Sequence, residues 1–232
     1  MTFNRHPPLV IGHRGAAGLK PENTLASFSA ALELGVDAVE LDVHLVEDAL
    51  VVIHDSTLDR TTNGIGRLSD CTLDTLRLLD AGGGAQIPLL EEVFDLVPPD
   101  VGINVELKGV GTGERLADFL TGRWRPEVLV SSFRRPELAA FRRRCPETNV
   151  APLFSRWHPR IWDVAARFTA WSVNLNIKLA TRKRIADAQR RGFRVLVYTV
   201  NDLDLARSLV DAGVHGIFTD HPERIRVPVL SD

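Results

Sequence analysis

The sequence predicts an α/β protein built as a (β/α)8 TIM barrel with a small insertion between its second and third strands. Three observations carry that expectation. Eight apolar runs rich in β-branched residues alternate with helical periodicities along 232 residues, and such alternation implies right-handed βαβ units and a parallel sheet. Eight units in a chain of this length suit the barrel. Three helical patterns end in Gly directly before a strand, in "ELGVDAVE", "RRGFRVLV" and "DAGVHGIF", the expected punctuation of a short αβ loop. A doubly wound open sheet is the architectural alternative, but "GHRGAAG" lacks the GxGxxG spacing that usually follows its first strand.

The first strand is "PLVIG" (8–12), followed by a helix over 24–34. The second strand, "DAVELDV" (37–43), precedes the one irregularity in spacing. Most strands start 20 to 30 residues apart, whereas the second and third start about 64 apart. The excess, about 45–88, holds its own strand "ALVVIHD" (49–55), a polar turn "RTTNGIG" and a short helix "TLDTLRLL". It is too small to be an independent domain, so the whole chain, 1–232, is expected to form a single barrel domain with an inserted subdomain. A helix over 89–97 leads to the third strand, "VGINVEL" (101–107), and a helix over 113–121 to the fourth, "VLVSSF" (128–133). Helix 135–144, strand "NVAPLF" (149–154), helix 159–168 and strand "WSVNLN" (171–176) follow. Helix 179–191, strand "RVLVYTV" (194–200), helix 202–212 and strand "GIFTD" (216–220) complete the pattern.

Composition narrows the function classes. Twenty-eight basic residues against 30 acidic ones give a net charge of −2, too balanced to draw the chain to nucleic acid or anionic lipid. The basic run "FRRRC" (141–145) reads as a solvated helix face. Two cysteines in unrelated contexts, Cys71 and Cys145, exclude a disulfide framework and a CxxC metal site. The N-terminus lacks a signal peptide's apolar run and no stretch approaches 18 apolar residues. The expectation is a soluble, reduced, cytoplasmic protein without stable membrane association, and a homo-oligomer is compatible with it.

Function is legible at the strand ends, because the active site of a (β/α)8 barrel lies at the C-terminal ends of its strands. In "AVELDVH" (38–44), alternation puts Glu40 and Asp42 on one face, with Cα atoms roughly 6.5 Å apart. Two carboxylates side by side need a positive partner. The third strand ends in "NVELK", bringing Glu106 and Lys108 at the same spacing. Neighbouring strands lie about 4.8 Å apart, so Glu40, Asp42 and Glu106 can converge. Three carboxylates without Cys or clustered His suit a hard divalent cation, Mg2+ or Ca2+, better than Zn2+. The bland alternative is that each acid pairs with an Arg or caps a helix.

His13 and Arg14 end the first strand and His54 ends the inserted one, followed by Asp55. His13 and His54 have the pKa range for proton transfer near neutrality. Arg14 and Lys108 suit an oxyanion, most naturally phosphate. His6, His44, His158, His215 and His221 read as ordinary polar residues, with His44 placed to face the site. A metal, two His and two cations around an anion describe phosphodiester cleavage.

These residues, with "HRG" (13–15), "PENT" (21–24), "ELD" (40–42), "VVIHD…LDRTTNGIG" (51–66), "IPLLEEVF" (87–94), "ELK" (106–108) and "VYTVND" (197–202), resemble the glycerophosphodiester phosphodiesterase family. The motifs run in family order across essentially the whole chain, and the likeness is to short, cytosolic bacterial members. The resemblance implies hydrolysis of small-molecule glycerophosphodiesters to sn-glycerol 3-phosphate and an alcohol. It also implies a divalent metal on Glu40, Asp42 and Glu106, His13 and His54 as the acid–base pair, and Arg14 and Lys108 on the phosphate. Two departures are visible: "VEDA" (46–49) stands where members often read "TKDG", and Tyr198 stands where a Trp is common.

Weaker signals remain. Glu22, Asn23 and Thr24 cap the first helix or support the site. Asn174 and Tyr198 are candidates for the glycerol hydroxyls, with core packing the alternative for the tyrosine. Phe133 is expected to wall the pocket, and Trp157 and Trp162 to pack on the surface. The nucleophile is the substrate's own 2-hydroxyl, giving a cyclic phosphate, or a water on the metal. Two rival readings are a phospholipase D-type activity on lysolipids and a barrel that only binds phosphodiesters.

Overall fold

The computed structural model describes residues 8–123 and 127–230, without side-chain detail for 227–230. Of the readings above, that for His6 lies outside the described residues. The strands are β1 (Leu9–Gly12), β2 (Ala38–Val46), β3 (Ala49–Val52), β4 (Gly102–Leu107), β5 (Val128–Ser132), β6 (Asn149–Phe154), β7 (Ser172–Asn176), β8 (Arg194–Tyr198) and β9 (Gly216–Thr219). Eight of them pair in parallel in the order β1-β9-β8-β7-β6-β5-β4-β2, and β1 also pairs with β2, so the sheet closes into a barrel. β3 runs antiparallel to β2, with Val43 opposite Val52 and Val46 opposite Ala49.

The helices are α1 (Leu25–Glu33), α2 (Leu73–Arg77), α3 (Leu90–Leu96), α4 (Thr112–Gly122), α5 (Arg135–Arg144), α6 (Ile161–Arg167), α7 (Arg182–Arg190), α8 (Leu203–Asp211) and α9 (Pro222–Leu230). Their starts follow side-chain chemistry. The Thr24 and Asp202 side chains accept hydrogen bonds from the backbone N–H groups of Ser27 and Leu205, capping α1 and α8. Two elements differ from the expected pattern. The helix expected over 179–191 starts later, as α7 at Arg182, because Thr181 caps it, and a short 3₁₀ turn, Ile177–Leu179, precedes it. α9 was not announced by periodicity, since Pro228 interrupts the pattern. The helix-to-strand glycines do cap as expected: Gly213 takes a φ of 86°, which a side chain would strain.

Strand alternation sorts the core. Val39, Leu41, Val43, Ile103 and Val105 face outward and are buried beneath the helices with Phe28, Val93 and Phe141. Leu9, Ile11, Ala38, Leu129, Ala151, Leu196 and Phe218 fill the barrel interior. Full burial of one such side chain contributes about 1.5–3 kcal/mol. The insertion has a satellite core of Val46, Val51, Ile53, Leu58, Leu68, Leu76, Ala81 and Ile87. It rides on the β2–β3 hairpin and so is held over the C-terminal mouth. Among the described residues, no helix is long and apolar enough to cross a membrane.

Candidate active site

The inward row of β2 ends in Glu40 and Asp42, and that of β4 in Asn104 and Glu106. The register pairs Glu40 with Asn104 and Asp42 with Glu106 across the two strands. Glu40, Asp42 and Glu106 each offer one oxygen, and the three atoms lie within 4.8 Å of one another. Their exposures are 3%, 1% and 8%. Burial, then repulsion from Asp42 and Glu106, holds Glu40 well above the ordinary carboxylate range. Glu106 is pushed up to about 7 by burial and by Asp42, with Lys108 opposing. Asp42 goes the other way: burial raises it, but Arg14, Lys108, His54 and the Asn23 amide together bring it below its usual value. Asp42 Oδ1 is buried without a hydrogen-bond partner. An oxygen-only trio with an unsatisfied acceptor fits a hard divalent cation, so this cluster could hold a metal ion.

The "HRG" loop is shaped by backbone conformation. Arg14 has a φ of 52° and Gly15 one of 83°. A Cβ on Gly15 would lie 2.5 Å from the Ser27 carbonyl carbon, so only glycine lets α1 approach this closely. The bend aims the Arg14 N–H at Glu40 Oε2, 2.9 Å away, and places its guanidinium 3.3 Å from Asp42 Oδ2. Lys108 sits opposite, with Nζ 2.9 Å from Glu106 Oε1, 3.6 Å from Asp42 Oδ1 and 3.1 Å from His54 Nε2. Two cations thus flank three acids.

Each histidine is oriented by a carboxylate. His13 Nδ1 lies 2.6 Å from Asp220 Oδ1, leaving Nε2 4.0 Å from Glu40 Oε2. His54 Nδ1 lies 2.6 Å from Asp55 Oδ1, leaving Nε2 toward Lys108. Burial, chiefly, lowers the His54 pKa. A carboxylate on Nδ1 fixes the tautomer and turns the other nitrogen toward the cluster.

Asp220, Asn201 and Arg60 join the site beyond the residues expected from sequence, while Glu22 and Asn23 take the supporting role that was one of their two expected readings. Asn201 Nδ2 donates to Asp220 Oδ2, 2.7 Å. Arg60 donates to Asp55 and to both oxygens of Glu22, 2.5–2.8 Å, and Glu22 accepts from Arg14, 2.7 Å. Asn23, at φ 58°, bonds reciprocally with Asp42: its Nδ2 donates to Oδ2, 2.9 Å, and its Oδ1 accepts from the Asp42 N–H, 3.3 Å. Thr24 alone is the cap of α1, so "PENT" serves both the helix start and the site. Asp220 had a readable signal, since it ends the last strand and closure sets that strand beside the first.

The other candidates divide. Tyr198 lines the cleft with His13, Glu40, Asn104 and Glu106, its hydroxyl donating to the Phe154 carbonyl, 2.8 Å. Phe133 packs edge-on against it at 6.0 Å between ring centres. Asn174 is fully buried and lies between Leu153 and Leu196 in register, outside the cleft lining. The His44 ring bonds the His54 carbonyl, 3.1 Å. Trp157 carries the Arg184 guanidinium 4.0 Å from its ring, which is surface packing, whereas Trp162, also expected on the surface, is buried against Phe193 in the core. In the 141–145 run, Arg144 pairs with Asp118 and Arg142 donates to the Pro146 and Thr148 carbonyls.

Comparison with known proteins agrees with this geometry. The profile of the glycerophosphoryl diester phosphodiesterase family matches residues 13–224. A glycerophosphodiester phosphodiesterase of Caldanaerobacter subterraneus subsp. tengcongensis is 36% identical over 94% of this chain and 96% of its own. One from Bacillus altitudinis is 36% identical over 93% and 95%. A phosphodiesterase of Oleispira antarctica, solved with the product sn-glycerol-3-phosphate, superposes with a TM-score of 0.90 at 30% identity, covering 96% of both chains. The chain belongs to the glycerophosphoryl diester phosphodiesterase family.

Proposed function

We propose that the protein hydrolyses glycerophosphodiesters to sn-glycerol 3-phosphate and an alcohol, dependent on a divalent cation and on acid–base catalysis by His13 and His54. The observation that carries this reading is the convergence of Glu40, Asp42 and Glu106 between Arg14, Lys108 and two histidine–carboxylate pairs. The Oleispira relative, which holds sn-glycerol-3-phosphate, supports the substrate class. A cation on the three carboxylates would withdraw charge from the phosphoryl oxygens as it builds; Mg2+ and Ca2+ both suit the donor set.

Arg14 and Lys108 hold and neutralise the phosphate. One imidazole takes a proton from the attacking hydroxyl while the other protonates the alcohol oxygen as its bond to phosphorus breaks. Such help is worth roughly 10²–10⁴-fold in rate. Attack by the substrate's 2-hydroxyl gives a cyclic phosphate that water reopens with the histidine roles reversed. Two displacements retain configuration at a chiral phosphorus and one direct displacement inverts it, so net inversion removes the cyclic step. Tyr198 borders the glycerol end. The chain works as one barrel domain, with the 45–88 insertion supplying His54.

The test is release of glycerol 3-phosphate from glycerophosphocholine, glycerophosphoethanolamine and glycerophosphoinositol, with and without EDTA. Turnover abolished by EDTA and restored by Mg2+ or Ca2+ is expected. Chelator-insensitive turnover, or full activity in His13→Ala, contradicts the mechanism. Activity on long-chain lysolipids alone would favour the phospholipase D-type rival.

A further inference from the structure

Two hollows flank the catalytic cluster, and they differ in size and chemistry. One lies on the barrel axis, lined by His13, Glu40, Asn104, Ser131, Tyr198 and Phe218, with a volume of about 20 Å3. That is room for one water-sized group. Asn104 is 1% exposed, its Nδ2 donates to Ser131 Oγ at 3.0 Å, and its Oδ1 has no partner. A single hydroxyl fits there, and a choline or an inositol ring does not.

The other is an open groove of about 610 Å3 between the insertion and the β4–α4 turn, lined by His44, Ser56, Thr57, Arg67, Gly109 and Val110 among others. It is tied to the cluster through neighbouring residues: Gly109 follows Lys108, Ser56 lies two residues beyond His54, and the His44 ring bonds the His54 carbonyl. Its volume falls in the range of small-molecule pockets. The charges in it are one-sided. No lining residue carries a carboxylate, and among the described residues Arg67 forms no ion pair. The aromatic faces or acids that would hold a quaternary ammonium are missing from the lining, whereas Ser56, Thr57 and Ser69 present hydroxyls.

We infer that this groove is the subsite for the departing alcohol, and that it selects diesters whose head group is an uncharged or anionic polyol over those with a cationic amine. The inference deepens, and rests on, the activity proposed above: one hydroxyl of the glycerol end enters the axial hollow, and the larger groove beside His54 is the hollow with room for the variable head group. Arg67 then acts as a specificity residue that favours polyol hydroxyls or a second anion and repels choline.

The experiment measures kcat/KM for glycerophosphoinositol and glycerophosphocholine on the wild-type protein, Arg67→Gln and Arg67→Glu, with glycerol 3-phosphate as the common product. An exposed charge is worth a few-fold in binding. The wild type is therefore expected to prefer glycerophosphoinositol about fivefold, Arg67→Gln to narrow the ratio, and Arg67→Glu to shift it roughly tenfold toward choline. A ratio that stays the same in all three proteins, with both diesters turned over, overturns the head-group subsite alone. If the wild type cleaves neither diester with metal present, the proposed activity falls and the subsite with it.

Discussion

His13 and Asp220 stand 207 positions apart in the chain, yet their Nδ1 and Oδ1 atoms lie 2.6 Å from each other. The contact exists because β9 closes the barrel against β1, with Gly12 opposite Thr219. His54 and Asp55 repeat the arrangement through adjacent residues at the same 2.6 Å. The two imidazoles therefore approach the site from opposite sides, each with its tautomer set by a carboxylate.

Asp220→Asn should lower kcat by roughly 10–100-fold while KM and the thermal midpoint stay close to wild type. The amide keeps the shape but can no longer hold the Nδ1 proton against a charge. A kcat within twofold of wild type would show that Asp220 does not orient the base.

The Arg60 fork joins the insertion to the loop after β1. Asp55 is drawn down to about 2, first by its hydrogen bond to Arg60 and also by that to His54. A depressed folded-state pKa stabilises fully above the unfolded value of 3.8 and is lost as the pH falls through 2. Acid unfolding should therefore show a limb between about pH 4 and 2 that flattens in Asp55→Asn. Screening at this partly exposed site limits the contribution to about 1 kcal/mol. Denaturant midpoints at pH 6 and pH 3 for both proteins measure it, and equal differences at the two pH values would refute it.

Gly15→Ala should destabilise the protein by at least about 2 kcal/mol, combining left-handed strain with overpacking against α1. The Cβ would meet the Ser27 carbonyl carbon and Oγ, both at 2.5 Å, and the carbonyl oxygen at 2.7 Å, and the backbone atoms of α1 cannot swing aside. KM for any cleaved diester should rise as well, because Arg14 would lose its aim. Calorimetry and steady-state kinetics on one preparation check both, and an unchanged melting temperature would count against the packing argument.

Glu47→Gly should act in the opposite direction. Glu47 is exposed and holds a φ of 52° in the β2–β3 turn, within the "VEDA" that departs from the family's usual glycine-bearing text. Relieving that conformation is worth about 0.5–1 kcal/mol, with kcat/KM unchanged. A variant no more stable than wild type would mean that the turn carries no strain.

The barrel was legible because its signals are local. Alternation at period two in "VELDV" and "INVEL" places acids on one face and valines and leucines on the other without reference to any distant residue. Helix stops at Gly and starts at Thr or Asp are equally local, and strand ends in such a barrel always face one mouth. Hence Glu40, Asp42, Glu106, His13, His54, Arg14 and Lys108 could be picked from the chain. The late start of α7 and the existence of α9 were not legible, because one cap and one proline outweighed the periodicity.

What only the folded protein decided is who touches whom across the ring. Closure brought Asp220 to His13, the insertion delivered Arg60 to Glu22, and the left-handed turns at Arg14 and Asn23 set their groups against Glu40 and Asp42. A side chain's rotamer is selected by partners that arrive from other parts of the chain, and no periodicity encodes them. Sequence determined which chemical groups reach the mouth; the closed sheet determined their distances, and catalysis depends on distances.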